Sequence, residues 1–424
     1  MTLPADTPSH KLGPWTATAL VVGNIIGVGV FVLPTSLAPY GWGSVVGWTI
    51  TLIGALSLAW VLSVLSRRLP DSGGAMGIVR LAFGGDVGFL NAWGYWISVW
   101  VANAVIAIAG VNYLGSLIPG LTVSKPATSA ASIAALWMLT WVNWRGPRSA
   151  GSLQLITTIL KAWPFIATIF VGILLMNGAH PPALLPFSAS QFTLGTATAT
   201  ATLTLYAMTG LESAAVPAST VENPEKVIPR ATMFGTLFSG LANTALSLTI
   251  IALLPSAQLA SSKAPLVDFL APSLGVLAGA LVSLSVAISA FGCLNGWVLL
   301  SAEIPAGLAE SGELPLWWGR RNRHGAASHA LVVSSVLTSV VIALNASDRF
   351  TNVFTFALLL STATILILYL LIPLAALRFA MQSRIPPTGG LLITAVLATL
   401  FAIWAIVGAG GAAVGWGAVL TAAG

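Results

Sequence analysis

Ala19-Leu20-Val21-Val22-Gly23-Asn24-Ile25-Ile26-Gly27-Val28-Gly29-Val30-Phe31-Val32-Leu33-Pro34 is the stretch on which the reading of the whole chain turns. It lies inside an uncharged run from Trp15 to Leu37, long enough for a membrane-spanning helix. Yet its middle holds three glycines and an asparagine, and it ends in a proline. Glycine weakens a helix, and an asparagine amide is costly in hydrocarbon. A segment that only anchored would be better served by leucine. Gly27-Val28-Gly29 therefore reads as a point where the helix is interrupted near mid-membrane. Backbone freed at that depth survives only when buried in protein or lining a cavity. In secondary transporters such breaks hold substrate and coupling ion. A competing reading is close helix packing through the Gly23-x-x-x-Gly27 pair.

Composition sets the class. The chain has 424 residues, 57% hydrophobic and 7% charged, against about 25% charged in a soluble domain. It is read as an all-α polytopic membrane protein. Spans are expected near 15–38, 44–65, 87–117, 126–144, 151–176, 194–217, 229–255, 272–304, 328–345, 351–377 and 388–409. A last apolar piece, 412–424, is too short for a full crossing and reads as a truncated twelfth helix. The first fourteen residues are polar and Pro-rich, with no cleavable leader visible. The single cysteine, Cys293, sits in an apolar run, which excludes a disulfide framework and a cysteine metal site.

Lysine and arginine give the orientation. With the N-terminus in the cytoplasm, thirteen of the seventeen basic residues fall on the inner side. Only Lys125, Lys263 and Arg349 fall outside, and Lys161 lies within a span. This is the positive-inside pattern of an inner-membrane protein, and it accounts for the +6 net charge. The basic residues are scattered over separate loops, which argues against nucleic acid as a partner. The bilayer is the expected environment.

Several residues within spans are polar. Tyr95 and Asn103 lie two turns apart on one face of the third span. Asn103 should turn inward, to a helix–helix hydrogen bond or to a ligand. Lys161 is ten residues from Gly151, about 15 Å at helical rise, which is deep for snorkelling. The sixth span carries Tyr206-Ala207-Met208-Thr209-Gly210-Leu211-Glu212-Ser213-Ala214, a glycine beside an intramembrane carboxylate. This is a second candidate break, five spans after the first. Two broken helices at corresponding places in two five-helix halves are the mark of an inverted-repeat transporter. Residues 1–176 then form the first repeat, 177–379 the second, and 380–424 hold additional helices. Pro229 is suited to start the seventh span, and 77–83 to form a short helix on the cytoplasmic face. Trp297, beside Asn295-Gly296, reads as core packing or as a flat wall for a substrate. The hydroxyls of Ser361-Thr362-Ala363-Thr364 either bond their own helix or reach a cavity. The four histidines lie in loops or at span edges, so no imidazole relay is expected in the membrane.

At these residues the chain resembles the amino acid-polyamine-organocation superfamily. The resemblance rests on Asn24 to Phe31, Pro70 with Gly73-Gly74, Gly210-Leu211-Glu212-Ser213 and Glu222-Asn223-Pro224, in that order along nearly the whole chain. Tyr95, Asn103 and Gly296-Trp297 look most like its bacterial arginine/agmatine antiporters. The resemblance implies a five-plus-five inverted-repeat (leucine-transporter-type) fold with two extra helices, often as a homodimer, moving amino acids or their amines. It places Val28 and Gly29 at the substrate carboxylate, and Asn24 and Gly27 among the substrate-binding residues. Ile25, Tyr206 and Thr209 fall where carbonyls take the amino group, Trp297 and Ser361 along the aliphatic part, and Asn103 near the distal group. It puts Tyr95 and Glu212 in an outer gating layer. Two departures bear on specificity: Val28 replaces a serine of the antiporters and Tyr206 a tryptophan. Lys161 is absent from the antiporters but typical of proton-coupled relatives, which implies a coupling role.

The chain is thus read as a secondary active transporter working by exchange or proton coupling, with neither cofactor nor metal. A sodium-coupled symporter of the same fold is the nearest rival. An enzyme would need paired aspartates, a Ser/His set or His-Glu-x-x-His within the spans, and none is present. A channel needs a continuous polar path, whereas the polar residues here gather at two breaks. A non-transporting receptor is the remaining class.

Overall fold

The computed structural model describes residues 13–146, 157, 160, 162–178, 184–215, 221–262, 264–347 and 353–424. Sixteen α-helices lie among them. They are α1 (Pro14–Ile25), α2 (Val28–Leu37), α3 (Gly43–Arg68), α4 (Gly74–Phe83), α5 (Gly85–Gly115), α6 (Lys125–Trp144), α7 (Ala162–Asn177) and α8 (Leu194–Tyr206). There follow α9 (Pro224–Leu253), α10 (Ser256–Ser261), α11 (Pro265–Leu274), α12 (Val276–Glu310), α13 (Ser328–Leu344), α14 (Val353–Met381), α15 (Gly389–Gly408) and α16 (Gly411–Ala422). Among the described residues, seven segments are long and apolar enough to cross a bilayer, the first being Pro14–Tyr40 with its interruption. The chain is an integral membrane protein.

Two packed groups face one another. In one, α3 packs on α8 and α9, and α9 packs on α1. In the other, α5 packs on α6, α12 and α13. Helix α14 bridges them through α5 and α3, while α15 and α16 lie outside on α14. Small residues permit the close approaches, as expected where both helices are already in an apolar solvent. A methyl at Gly235 of α9 would meet Val21 Cγ1 of α1 at 2.6 Å. The Thr51 and Thr204 hydroxyls are 2.7 Å apart, and Thr51 donates to the Ala201 carbonyl, tying α3 to α8.

These contacts fix helix directions. The start of α8 lies against the start of α3, with Thr200 on Gly47. The start of α9 lies near the other end of α3, where the Ser63 hydroxyl bonds the Pro229 carbonyl. Gly13, just before α1, approaches the Glu222 carboxylate just before α9. Helices α1 and α8 therefore enter from opposite sides and end facing each other in the middle.

Four boundaries depart from the sequence expectation. Helix α9 begins at Pro224, with Asn223 in the left-handed region as its cap, so Pro229 lies inside it. The span expected from 272 divides at Gly275 into α11 and α12. The first break is shifted: Ile26 and Gly27 leave helical geometry, and α2 resumes at Val28. The expected short cytoplasmic helix is α4, beginning at Gly74 rather than 77. The final helix α16 has twelve residues, about 18 Å, too short for a crossing. It docks on α5, where the Trp93 indole donates to the Leu420 carbonyl.

Candidate functional site

The site is built where α1 and α8 stop. Each helix ends in tight turns, the Gly27 N–H on the Ile25 carbonyl and the Ala207, Met208 and Thr209 N–H groups on the Thr204, Leu205 and Tyr206 carbonyls, and α2 begins with N–H groups that no preceding turn can use. Gly27 caps α2 without a side-chain partner for those N–H groups. Three helix ends thus place partial charges together in the bundle interior: positive at α2, negative at α1 and α8.

Glycine lets these ends meet. At Gly27 a Cβ would lie 2.6 Å from Cys293 Sγ on α12. At Gly29 it would lie 3.0 Å from the Tyr206 ring. Gly210 has φ +104°, where an L side chain is strained, and faces the Asn24 backbone. The Asn24 amide donates to the Ser213 hydroxyl at 2.9 Å, joining the two broken segments directly. Beyond α8 the chain turns through 207–215. There the Thr209 hydroxyl bonds the Tyr206 carbonyl, and the Asn243 amide of α9 bonds the Ala207 carbonyl.

Asn24, Ile25, Gly27, Gly29, Tyr206 and Thr209 therefore gather at one junction, with Gly210, Ser213 and Cys293 added. Val28 supplies the first residue of α2. Trp297 lies one turn beyond Cys293 on α12 and is buried. Asn103 is buried two turns beyond Tyr95 on α5. The side-chain oxygens of Asn24 and Asn103 are both buried with no hydrogen-bond partner among the described residues. Such an acceptor costs free energy until a donor meets it. Ser361 is already engaged: its hydroxyl donates to the Ser98 carbonyl at 2.9 Å, joining α14 to α5. Lys161 lies outside the described residues.

A second layer adjoins the first. Glu212 is buried, and both its oxygens accept phenol hydrogen bonds: Tyr95 from α5 at 2.6 Å and Tyr369 from α14 at 2.7 Å. Tyr369 had no place in the sequence reading. The available signal was a tyrosine in mid-span, one of five in the chain. The Ala75 N–H of α4 bonds the Ala215 carbonyl, and only a cavity of about 10 Å³ remains beside Glu212, lined by Leu58, Leu62, Ala75 and Tyr369 among others. That is room for about one water molecule. The layer lies toward α4 and the end of α3, the side of Arg67, Arg68 and Arg80.

That side is fastened by ion pairs. Arg80 pairs with Glu313. Arg321 spans Glu303 and Glu310, with nitrogen–oxygen distances of 2.9 and 3.1 Å. The hydrogen bond to Glu303 raises the Arg321 pKa above its ordinary value.

Comparison with known proteins bears on this arrangement. The sequence profile described as "Amino acid permease" matches residues 12–419. The cadaverine/lysine antiporter of Escherichia coli K12 is 32% identical over 339 residues, covering 79% of this chain and 75% of that protein. The putrescine transporter PotE of the same organism is 27% identical over 425 residues, covering 98% and 95%. PotE of Haemophilus influenzae is 28% identical over 422 residues, covering 97% and 95%.

Proposed function

The chain belongs to the amino acid permease family of the amino acid-polyamine-organocation superfamily, and from that premise we propose that it exchanges a small primary amine, or its parent amino acid, across the inner membrane by alternating access. As in its relatives, its work is secondary transport of amino acids or amines.

The observation that carries the choice of cargo is the imbalance of partial charge at the junction. Two helix C-termini and two unpartnered amide oxygens favour a cationic group. Only the N-terminus of α2 favours an anion, and Val28 brings no hydroxyl to it. An ammonium would sit against the carbonyl ends of α1 and α8, with Ile25, Tyr206 and Thr209. The aliphatic chain would run along Trp297 and Ser361, and the distal group would reach Asn103. A carboxylate, where the cargo has one, would meet the first turn of α2 at Gly27, Val28 and Gly29. Tyr95, Glu212 and Tyr369 form the inner gate, closed here. Lys161 couples the cycle to protons in place of sodium. The N-terminus is cytoplasmic.

Competition on purified protein tests the cargo. Diamines, lysine, arginine and neutral amino acids are compared as stabilisers in thermal unfolding, then as exchange partners in proteoliposomes. A primary amine or an amino acid smaller than arginine should act at the lowest concentration, without sodium. If arginine alone displaces bound ligand at micromolar concentration, or uptake requires sodium, the reading is wrong.

A further inference from the structure

We propose that the groove between the end of α6 and the start of α13 binds an anionic phospholipid. Trp137, Trp141 and Trp144 recur at steps of four and three, which places them on one face of α6. They are 37%, 55% and 39% exposed, and the stripe is about 10 Å long at helical rise. Arg145 follows at the helix end, its guanidinium 3.8 Å from the Trp141 ring centroid. Arg323 and His324 close the other wall, with Arg323 Nε donating to His324 Nε2. The groove has a volume of about 700 Å³.

Its walls are fixed. The Asn322 amide donates to the Trp144 carbonyl, the Trp137 indole to the Ser339 hydroxyl, and the Thr140 and Ser335 hydroxyls are 2.8 Å apart. Its charge is not answered within the protein. Arg80 and Arg321 on the same side each have a carboxylate partner, whereas Arg145 and Arg323 have none among the described residues. The groove therefore presents two guanidinium groups at the water boundary and an aromatic track leading into the bilayer. A phosphate meets the first by forked, charge-assisted hydrogen bonds. An acyl chain covers the second. A juxtamembrane arginine on the inner side also gains from anionic lipid itself. Neither helix contributes to the junction of the breaks, so this site is separate from the transport path.

The test is native mass spectrometry of the full-length protein in detergent, with dioleoylphosphatidylglycerol or dioleoylphosphatidylcholine added. Wild type should retain the anionic lipid at roughly fivefold lower concentration or less, the preference two charge-assisted contacts would readily exceed. Arg145→Gln/Arg323→Gln should lose that preference, and Arg67→Gln/Arg68→Gln should keep it. On wild type alone, phosphatidylglycerol should slow amide exchange in 137–146 and 322–332. Equal retention of the two lipids, an unchanged preference in the groove variant or no protection of these segments overturns the proposal. So does displacement by millimolar inorganic phosphate, which would mean a headgroup-only site. Loss of a dimer as the sole effect of the groove variant would mean that a second copy covers it.

Discussion

Glu212→Gln tests the gate most directly. In the closed layer both carboxylate oxygens accept phenol hydrogen bonds, from Tyr95 at 2.6 Å and Tyr369 at 2.7 Å. Hydrogen bonds to a charged group contribute about 1.5–3 kcal/mol each, and neutral ones about 0.5–1.5. Glutamine keeps the shape and can still accept from one phenol and donate to the other, so each bond is weakened by about 1 kcal/mol. The closed layer then loses about 2 kcal/mol, which is about 30-fold in a rate that passes through it. Alternating access must traverse a state with this layer shut, so exchange should slow by that order. Binding should change much less, because no hydrogen bond joins Glu212 to Asn24, Tyr206 or Thr209. Counterflow of labelled substrate in proteoliposomes measures the first quantity, and thermal stabilisation by substrate in detergent measures the second. If binding collapses while turnover per bound substrate is unchanged, Glu212 belongs to the substrate site and the gate assignment fails.

Trp297 is buried, so truncation to alanine would cost about 3–5 kcal/mol of stability in its own right. Trp297→Phe is the cleaner change, and it should abolish or severely reduce uptake with the unfolding midpoint nearly kept; normal uptake removes Trp297 from the site. Gly27→Ala should destabilise by about 1–3 kcal/mol through the 2.6 Å approach to Cys293 Sγ. Cys293→Ala in the same chain should restore most of the loss in a thermal-unfolding cycle, since the next nearest atom of that residue is 3.6 Å away; independent effects would refute the packing. Uptake without sodium should depend on pH in wild type, and Lys161→Ala should flatten or abolish that dependence. A variant that stays active with the wild-type pH profile excludes Lys161 as the coupling residue.

The first break was legible because glycine and asparagine are conspicuous in a run of Val, Ile and Leu. Its position was legible only to within two residues. Gly27 is extended rather than left-handed, so it serves as the cap of α2, and Val28 and Gly29 become helix. The second break was legible through Gly210 and Glu212. Its partners were not: Tyr369 is 157 residues from Glu212, within a segment whose apolar neighbours give no periodicity, and the Asn24–Ser213 bond joins residues 189 apart. A single chain displays which residues are out of place in a membrane, not which of them meet. Ser361 illustrates the converse. Its hydroxyl was read as bonding its own helix or reaching a cavity, and it bonds the carbonyl of Ser98 on α5 instead.

Two adjacent residues make the junction and the gate one device. Ser213 accepts from Asn24 on the first broken segment, and Glu212 accepts from Tyr95 and Tyr369 on α5 and α14. One peptide unit therefore connects the place where helix ends meet to the layer of Glu212, Tyr95 and Tyr369 proposed as the gate. The backbone around it is not held by a helical ladder: 207–215 runs in turns, and Gly210 occupies a conformation other residues rarely adopt. Its hydrogen bonds are those of separate turns, which can rearrange one turn at a time, whereas a continuous helix would have to move as a rod. A cation drawn to the carbonyl ends of α1 and α8 would compete with contacts that fix this turn, and any displacement of Ser213 carries Glu212 with it. Small movements at such a turn become two-state behaviour because the phenol–carboxylate bonds are either made or lost. A buried carboxylate that has lost its donors is costly, so an open state would require water at Glu212, beside the small cavity lined by Leu58, Leu62, Ala75 and Tyr369. Under the proposed function, cargo recognition and gate opening would thus be linked by chain connectivity, without a longer path through the bundle.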